Sequence, residues 1–230
     1  MRRTTDNALS WADEGTRLFL RTIGRWDEEQ YLAPSGLPGW TRKHLVAHVA
    51  ANADALGNLV HWAATGEETP MYPSVERRNA DIAAGGAKPA AELTAWLRAS
   101  AERLAGALRD LSQDQWRAGV VTAQGRTVPA TEIPWMRSRE VCVHAVDLAA
   151  GLSFARLPEG FLPALADDIV TRRAAAPGPP VTLLATDTGD HWELPGDGGP
   201  VKVGGTLAEI TAYLAGRPHS LTAPDLPAWL

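Results

Sequence analysis

Glu140 and His144 stand four residues apart in "RSREVCVHAVDLAAGL", Arg137 to Leu152, a stretch that otherwise reads as an apolar helix. Residues at that spacing share one side of a helix, with Cβ atoms about 5–6 Å apart. A carboxylate and an imidazole therefore project together. Asp147, three residues on, falls on the same flank; it reads first as a helix-face charge, with the orienting of an imidazole as the other option. Cys142 falls nearly opposite His144, which makes it a small core residue rather than a partner. A second pair at the same spacing, His44 and His48, lies beside an apolar stripe of Leu45, Val49, Ala53, Leu56 and Val60. His48 sits at the edge of that stripe, where a side chain can reach inward. His44 is turned further toward solvent and reads as a surface or supporting residue, and His61 lies well around the helix from His48. His48, Glu140 and His144 would fill three positions of a zinc centre and leave a fourth for water or substrate, the mark of a catalytic site. Nickel, cobalt and iron accept the same donors. A Glu and a His four apart are also a common surface hydrogen bond, so the pair alone leaves the metal open.

The elements that must position these residues are mainly helical up to Leu152. A long helix is expected from about Thr5 to Tyr31, with Leu9, Leu18, Phe19 and Ile23 among its apolar positions. "LAPSGLPG" breaks it. A second long helix begins after Thr41, a good N-cap, and stops at Gly66. "TPMYPS" forces an extended link. "AAELTAWLRASAERLAGALRDLS" is a third helix rich in good formers. "GVVTAQGRTVPATEIP" suggests a short hairpin about Gln124 and Gly125. A fourth helix carries Glu140 and His144 and closes near Gly151. Four amphipathic helices predict an antiparallel bundle, an architecture that builds metal sites from inward-facing side chains. From residue 153 the pattern changes. A helix in "LPEGFLPALADDIVTRRAA" is followed by the linker "APGPP", by strands in "VTLLATD", "HWELP" and "VKVGG", and by a helix capped by Thr206. The fold class is α+β: a bundle over 1–152 and a small α+β domain over 153–230.

The 230 residues suffice for a real core, and a net charge of −5 supplies no basic stripe for nucleic acid. No run of about 18 apolar residues offers a membrane span, and the N-terminus lacks the order of a signal peptide. One cysteine excludes an intrachain disulfide. These features fit a cytoplasmic protein.

"GWTRKHLVAHVAANADAL", "WAATGEETPMYPS" followed by "ERRNADI", and "GRTVPATEIPWMRSREVCVHAVDLAAGL" together resemble the mycothiol-dependent maleylpyruvate isomerase family. The resemblance runs from about Thr4 to Leu152 and continues through "YLAGRPHSL" to the terminal "LPAWL". It implies a DinB-like four-helix bundle followed by a small α/β domain similar to sterol-carrier folds. It also implies zinc held by a His on the second helix and by a Glu and a His four apart on the fourth, positions that match His48, Glu140 and His144. Arg217 in "LAGRPHS" matches a family arginine near the active site; read from the residues alone it is equally a helix-end cap.

The activity implied is isomerisation of maleylpyruvate to fumarylpyruvate in gentisate breakdown, with mycothiol as thiol cofactor. Thiolate addition makes the double bond single, the bond rotates, and elimination leaves the trans alkene. Zinc keeps the thiol ionised. Arg217 would pair with a carboxylate of the dianionic substrate. The partners implied are a small dicarboxylate and a thiol, with no nucleic acid, membrane or protein. Two rivals share the ligand set: a mycothiol S-transferase acting on another electrophile, and a non-catalytic zinc- or ligand-binding module. Against the second stands the lack of a fourth protein ligand, which structural zinc usually has.

Overall fold

The computed structural model describes residues 3–175, 178–227 and 229. They form two compact units: Thr4–Leu152, and the residues from Ser153 onward together with Arg3, so the first unit starts at Thr4 rather than at residue 1.

The first unit is helical. Helix α1 spans Thr5–Ile23 and α2 spans Glu28–Leu32, so the single helix expected from Thr5 to Tyr31 is in fact two. Gly24 ends α1, and Asp27 starts a new helix by accepting from the Gln30 amide in a capping box, which outcompetes continuation. Helix α3 spans Arg42–Thr65, with Thr41 as N-cap and Gly66 as a left-handed stop at φ 78°. Helix α4 spans Val75–Gly86. It was not anticipated, and Ser74 caps it. Helix α5 spans Ala90–Arg109, α6 is the short turn Gln113–Trp116, and α7 spans Ile133–Asp147. Between α6 and α7, strands β1 (Gly119–Val121) and β2 (Thr127–Pro129) form the expected antiparallel hairpin.

Helices α1, α3, α5 and α7 make the bundle: α1 packs on α7, α3 on α5, and α3 also meets α7. The core between them holds Phe19, Leu45, Leu56, Leu93, Leu97 and Ile133, all within 1% of full burial. Each such side chain contributes about 1.5–3 kcal/mol. Close approach of α1 to α7 depends on Gly15, where an added Cβ would lie 2.6 Å from Cys142 Sγ and from Val141 Cγ2. Trp11 of α1 and Trp135 of α7 meet edge to face at 6.0 Å.

In the second unit, α8 spans Phe161–Arg173. Strands β3 (Val181–Ala185), β4 (His191–Leu194) and β5 (Val201–Gly205) form a sheet of order β4-β3-β5, with β4 antiparallel and β5 parallel to β3. Helix α9 spans Leu207–Leu214 with the expected Thr206 cap. Val181, Leu183, Ala185, Trp192, Leu194 and Val203 turn one sheet face inward, and α8 and α9 pack on the strands and on each other. Alternate residues thus cover one apolar face, the period-two signal in the sequence. Ala176 and Pro177 of the expected linker, and Ala228 and Leu230 of the terminal segment, lie outside the described residues. No helix of the described residues is long and apolar enough to cross a membrane.

Candidate metal centre

His48 comes from the second turn of α3, Glu140 and His144 from successive turns of α7, and the contact of those helices brings the three together. The Nε2 atoms of His48 and His144 lie 3.1 and 3.4 Å from the same oxygen, Glu140 Oε2. One ligand atom from each residue falls within 4.8 Å of the others, the one such cluster among the described residues. Bonds of about 2.0–2.1 Å at tetrahedral angles separate ligand atoms by about 3.3 Å, so the two measured separations suit a metal. His48 is buried, while the side chains of Glu140 and His144 keep 23% and 15% of their exposure. The cluster is therefore open on one side, where a further ligand can approach.

The surroundings fix the donor atoms. Asp147 is buried, and its Oδ2 accepts from His144 Nδ1 at 2.9 Å. This settles the choice left open by spacing: Asp147 is not a helix-face charge but a buried acceptor that leaves His144 Nε2 facing Glu140. Trp40 packs edge-on against His48 at 5.5 Å. The end of α7 is stapled to the chain before α3: Gly36 N donates to Asp147 O at 2.7 Å, and Arg42 donates through Nε to Leu148 O and through Nη2 to Ala149 O.

Charge at the site follows from these contacts. Burial would raise the Glu140 carboxyl, but hydrogen bonds from His144 and His48, and their charges, outweigh it and hold it well below the ordinary range. Burial would lower His144, yet Asp147 and Glu140 together push it up to about 9. His48 is lowered, burial outweighing its bond to Glu140.

Other residues singled out in the sequence fall elsewhere. His44 Nδ1 sits 2.7 Å from Thr41 Oγ1 in the capping box of α3, so it is a cap. His61 is exposed beside Glu67. Cys142 is fully buried, and burial raises its thiol pKa, which suits neither a nucleophile nor a ligand. Arg217 lies in the second unit just past α9, where Nη1 donates to Ala215 O at 2.7 Å. Two neighbours of the cluster escaped the sequence reading: Arg78 of α4, whose Nη2 is 3.4 Å from His48 Nδ1, and Tyr72, which Arg78 overlies at 5.8 Å. The signal that could have found them is Ser74 followed by "VERRNADI", a cap and a short amphipathic helix.

Fold and site together define a DinB-like four-helix bundle carrying a three-donor cluster, joined to a small sheet domain. The sequence profile described as "Mycothiol maleylpyruvate isomerase N-terminal domain" matches residues 12–149, more than half of the chain. The chain belongs to the mycothiol-dependent maleylpyruvate isomerase family. It is similar to the crystal structure of a mycothiol-dependent maleylpyruvate isomerase, with 42% identity, a TM-score of 0.93, and coverage of 99% of this chain and 98% of that one. A histidine-to-alanine mutant under the same name gives 41% identity and a TM-score of 0.92, with the same coverage. YfiT from Bacillus subtilis, with an unusual four-helix bundle topology, is similar in fold at 19% identity and a TM-score of 0.51, covering 63% of this chain and 85% of that one. No curated protein matches the chain.

Proposed function

We propose that this chain isomerises maleylpyruvate to fumarylpyruvate, with mycothiol as thiol cofactor and a divalent metal, zinc by preference, held by His48, Glu140 and His144. The observation that carries the reading is the convergence of these three donors in a chain similar over its length to an enzyme of that name. When bound, the metal supplies a Lewis acid that keeps a thiol ionised near neutral pH, where a free thiol of pKa near 8.5 is mostly protonated.

The protein's own groups prepare that site. Asp147 holds the Nδ1 proton of His144 and so presents the Nε2 lone pair. Glu140 stays ionised through the physiological range because both imidazoles favour its charged form. His48 can give Nε2 only with its proton on Nδ1, the atom that now faces Arg78. In that tautomer Nδ1 no longer accepts, which leaves an Arg78 N–H for another acceptor. Arg217 is assigned to a substrate carboxylate, which a guanidinium grips with two parallel hydrogen bonds. The reading carries a place in gentisate breakdown in the cytoplasm.

The test mixes purified protein with enzymatically generated maleylpyruvate, with and without mycothiol, before and after metal removal. Fumarylpyruvate formed only when thiol and metal are both present is the expected result. No conversion by metal-loaded protein would overturn the reading, and a thiol adduct with another electrophile would replace it by the S-transferase.

A further inference from the structure

The bundle is not closed evenly. Helix α1 packs tightly on α7 and α3 on α5, but α1 and α5 touch sparsely. Between them runs a cleft of about 540 Å³, within the range of small-molecule sites. Leu9, Ala12 and Leu20 of α1 and Leu104 and Leu108 of α5 give it apolar walls. Exposed Arg17, Arg98 and Arg109 stand at its rim with Asp13 and Glu102, and buried Arg137 of α7 lines its deep side. Arg17 is already paired with Asp13 along α1, which leaves Arg98, Arg109 and Arg137 against Glu102 in the lining, on a chain whose net charge is −5.

Arg137 is 2% exposed. Its Nη1 donates to Val49 O at 2.7 Å and to Asn52 Oδ1 at 3.0 Å, both neutral acceptors. Its Nη2 is buried and has no hydrogen-bond partner among the described residues. The charges of Glu140 and Asp54 favour the guanidinium, but both carboxylates hydrogen-bond elsewhere, Glu140 with His48 and His144 and Asp54 with Trp96 and Arg103. A buried cation with neutral partners and an unmade hydrogen bond is costly unless an anion reaches it.

We propose that the α1–α5 cleft binds a small amphipathic carboxylate, its apolar body between the two helices and its head group on Arg137 Nη2. The site is distinct from the three-donor cluster and stands whether or not the isomerase reading does. A docked helix from a partner would cover the apolar walls but would leave the deep guanidinium unmatched, so the small ligand is favoured.

Metal-loaded protein would be titrated calorimetrically with sodium decanoate, with decanol as the uncharged control, while NMR follows the arginine Nε–H groups. Saturable binding of decanoate, a marked preference over decanol and a shifted Arg137 signal are expected. Ala105→Trp, which places an indole in the cleft, should weaken binding by about tenfold or more, a loss of at least 1.4 kcal/mol. Binding should persist in His48→Ala. Arg137→Met should abolish the preference for decanoate; should that variant fail to fold, Ala105→Trp decides. Absence of saturable binding, equal affinity for decanol, undiminished binding in Ala105→Trp, or loss in His48→Ala would each overturn the proposal, the last by assigning the carboxylate to the metal.

Discussion

Asp147 shows how much of the proposed metal site depends on a residue that is not one of its three donors. Its carboxylate keeps the His144 proton on Nδ1, and partners of this kind typically carry 10–100-fold in metal affinity. Asp147→Asn is expected to lower affinity by about that factor with helical content unchanged, measured by competition with a chromophoric chelator and by circular dichroism. The same contact couples metal to pH. In the metal-free chain His144 titrates at about 9 and is protonated at neutral pH, whereas His48 is lowered and Glu140 is ionised. Metal must displace one proton, from His144. Calorimetry in buffers of different ionisation enthalpy should show about one proton released at pH 7. Apparent affinity should rise about tenfold per pH unit and level off near pH 9. The pairing of Glu140 with His144 was readable because residues four apart on a helix must project together. The role of Asp147 was not, because spacing places a residue on a flank but says nothing of its rotamer or burial. Tyr72 lies in "TPMYPS", which reads as an extended link, and Arg78 lies in the helix after it, a stretch to which the sequence reading assigns no element.

Helix boundaries were readable where local chemistry decides them. Thr41, Gly66 and Thr206 stand where the sequence puts a cap or a stop. The failure at α1 and α2 was one of competition: apolar periodicity ran on through Tyr31, but the Asp27–Gln30 capping box was strong enough to begin a new helix. The end of α7 holds a conformational oddity. Ala149, which follows its C-cap residue, has φ 52°, in the left-handed region that costs a non-glycine residue about 1 kcal/mol or more. The Arg42 bond to Ala149 O helps to hold it there. Ala149→Gly should therefore stabilise the protein by about 0.5–1 kcal/mol, read as a higher midpoint in urea with an unchanged slope. A lower midpoint would show that the loss of unfolded-chain restriction dominates instead.

At the scale of the molecule, the sequence changes after Leu152 to a helix, a Pro-rich linker and then short strands of period two, and the contacts group Thr4–Leu152 into one unit and the residues from Ser153, with Arg3, into the other. What the sequence could not supply was the sheet order, because placing β5 beside β3 rather than β4 depends on packing against α8 and α9. Arg217 in that unit gives the division a functional test. Arg217→Ala should raise KM or lower kcat for maleylpyruvate while metal content is unchanged; unaltered constants would leave it as the helix-end contact to Ala215. The staple from Gly36 and Arg42 to the end of α7 bears on the order of events in folding. It joins segments far apart in the chain, and so does the three-donor cluster, so His48 meets the other two only when the last bundle helix docks. Such long-range closure is late and slow. A metal held by the proposed site would then be a passenger rather than a nucleus: stopped-flow refolding should run at the same rate with and without zinc, while unfolding slows in its presence.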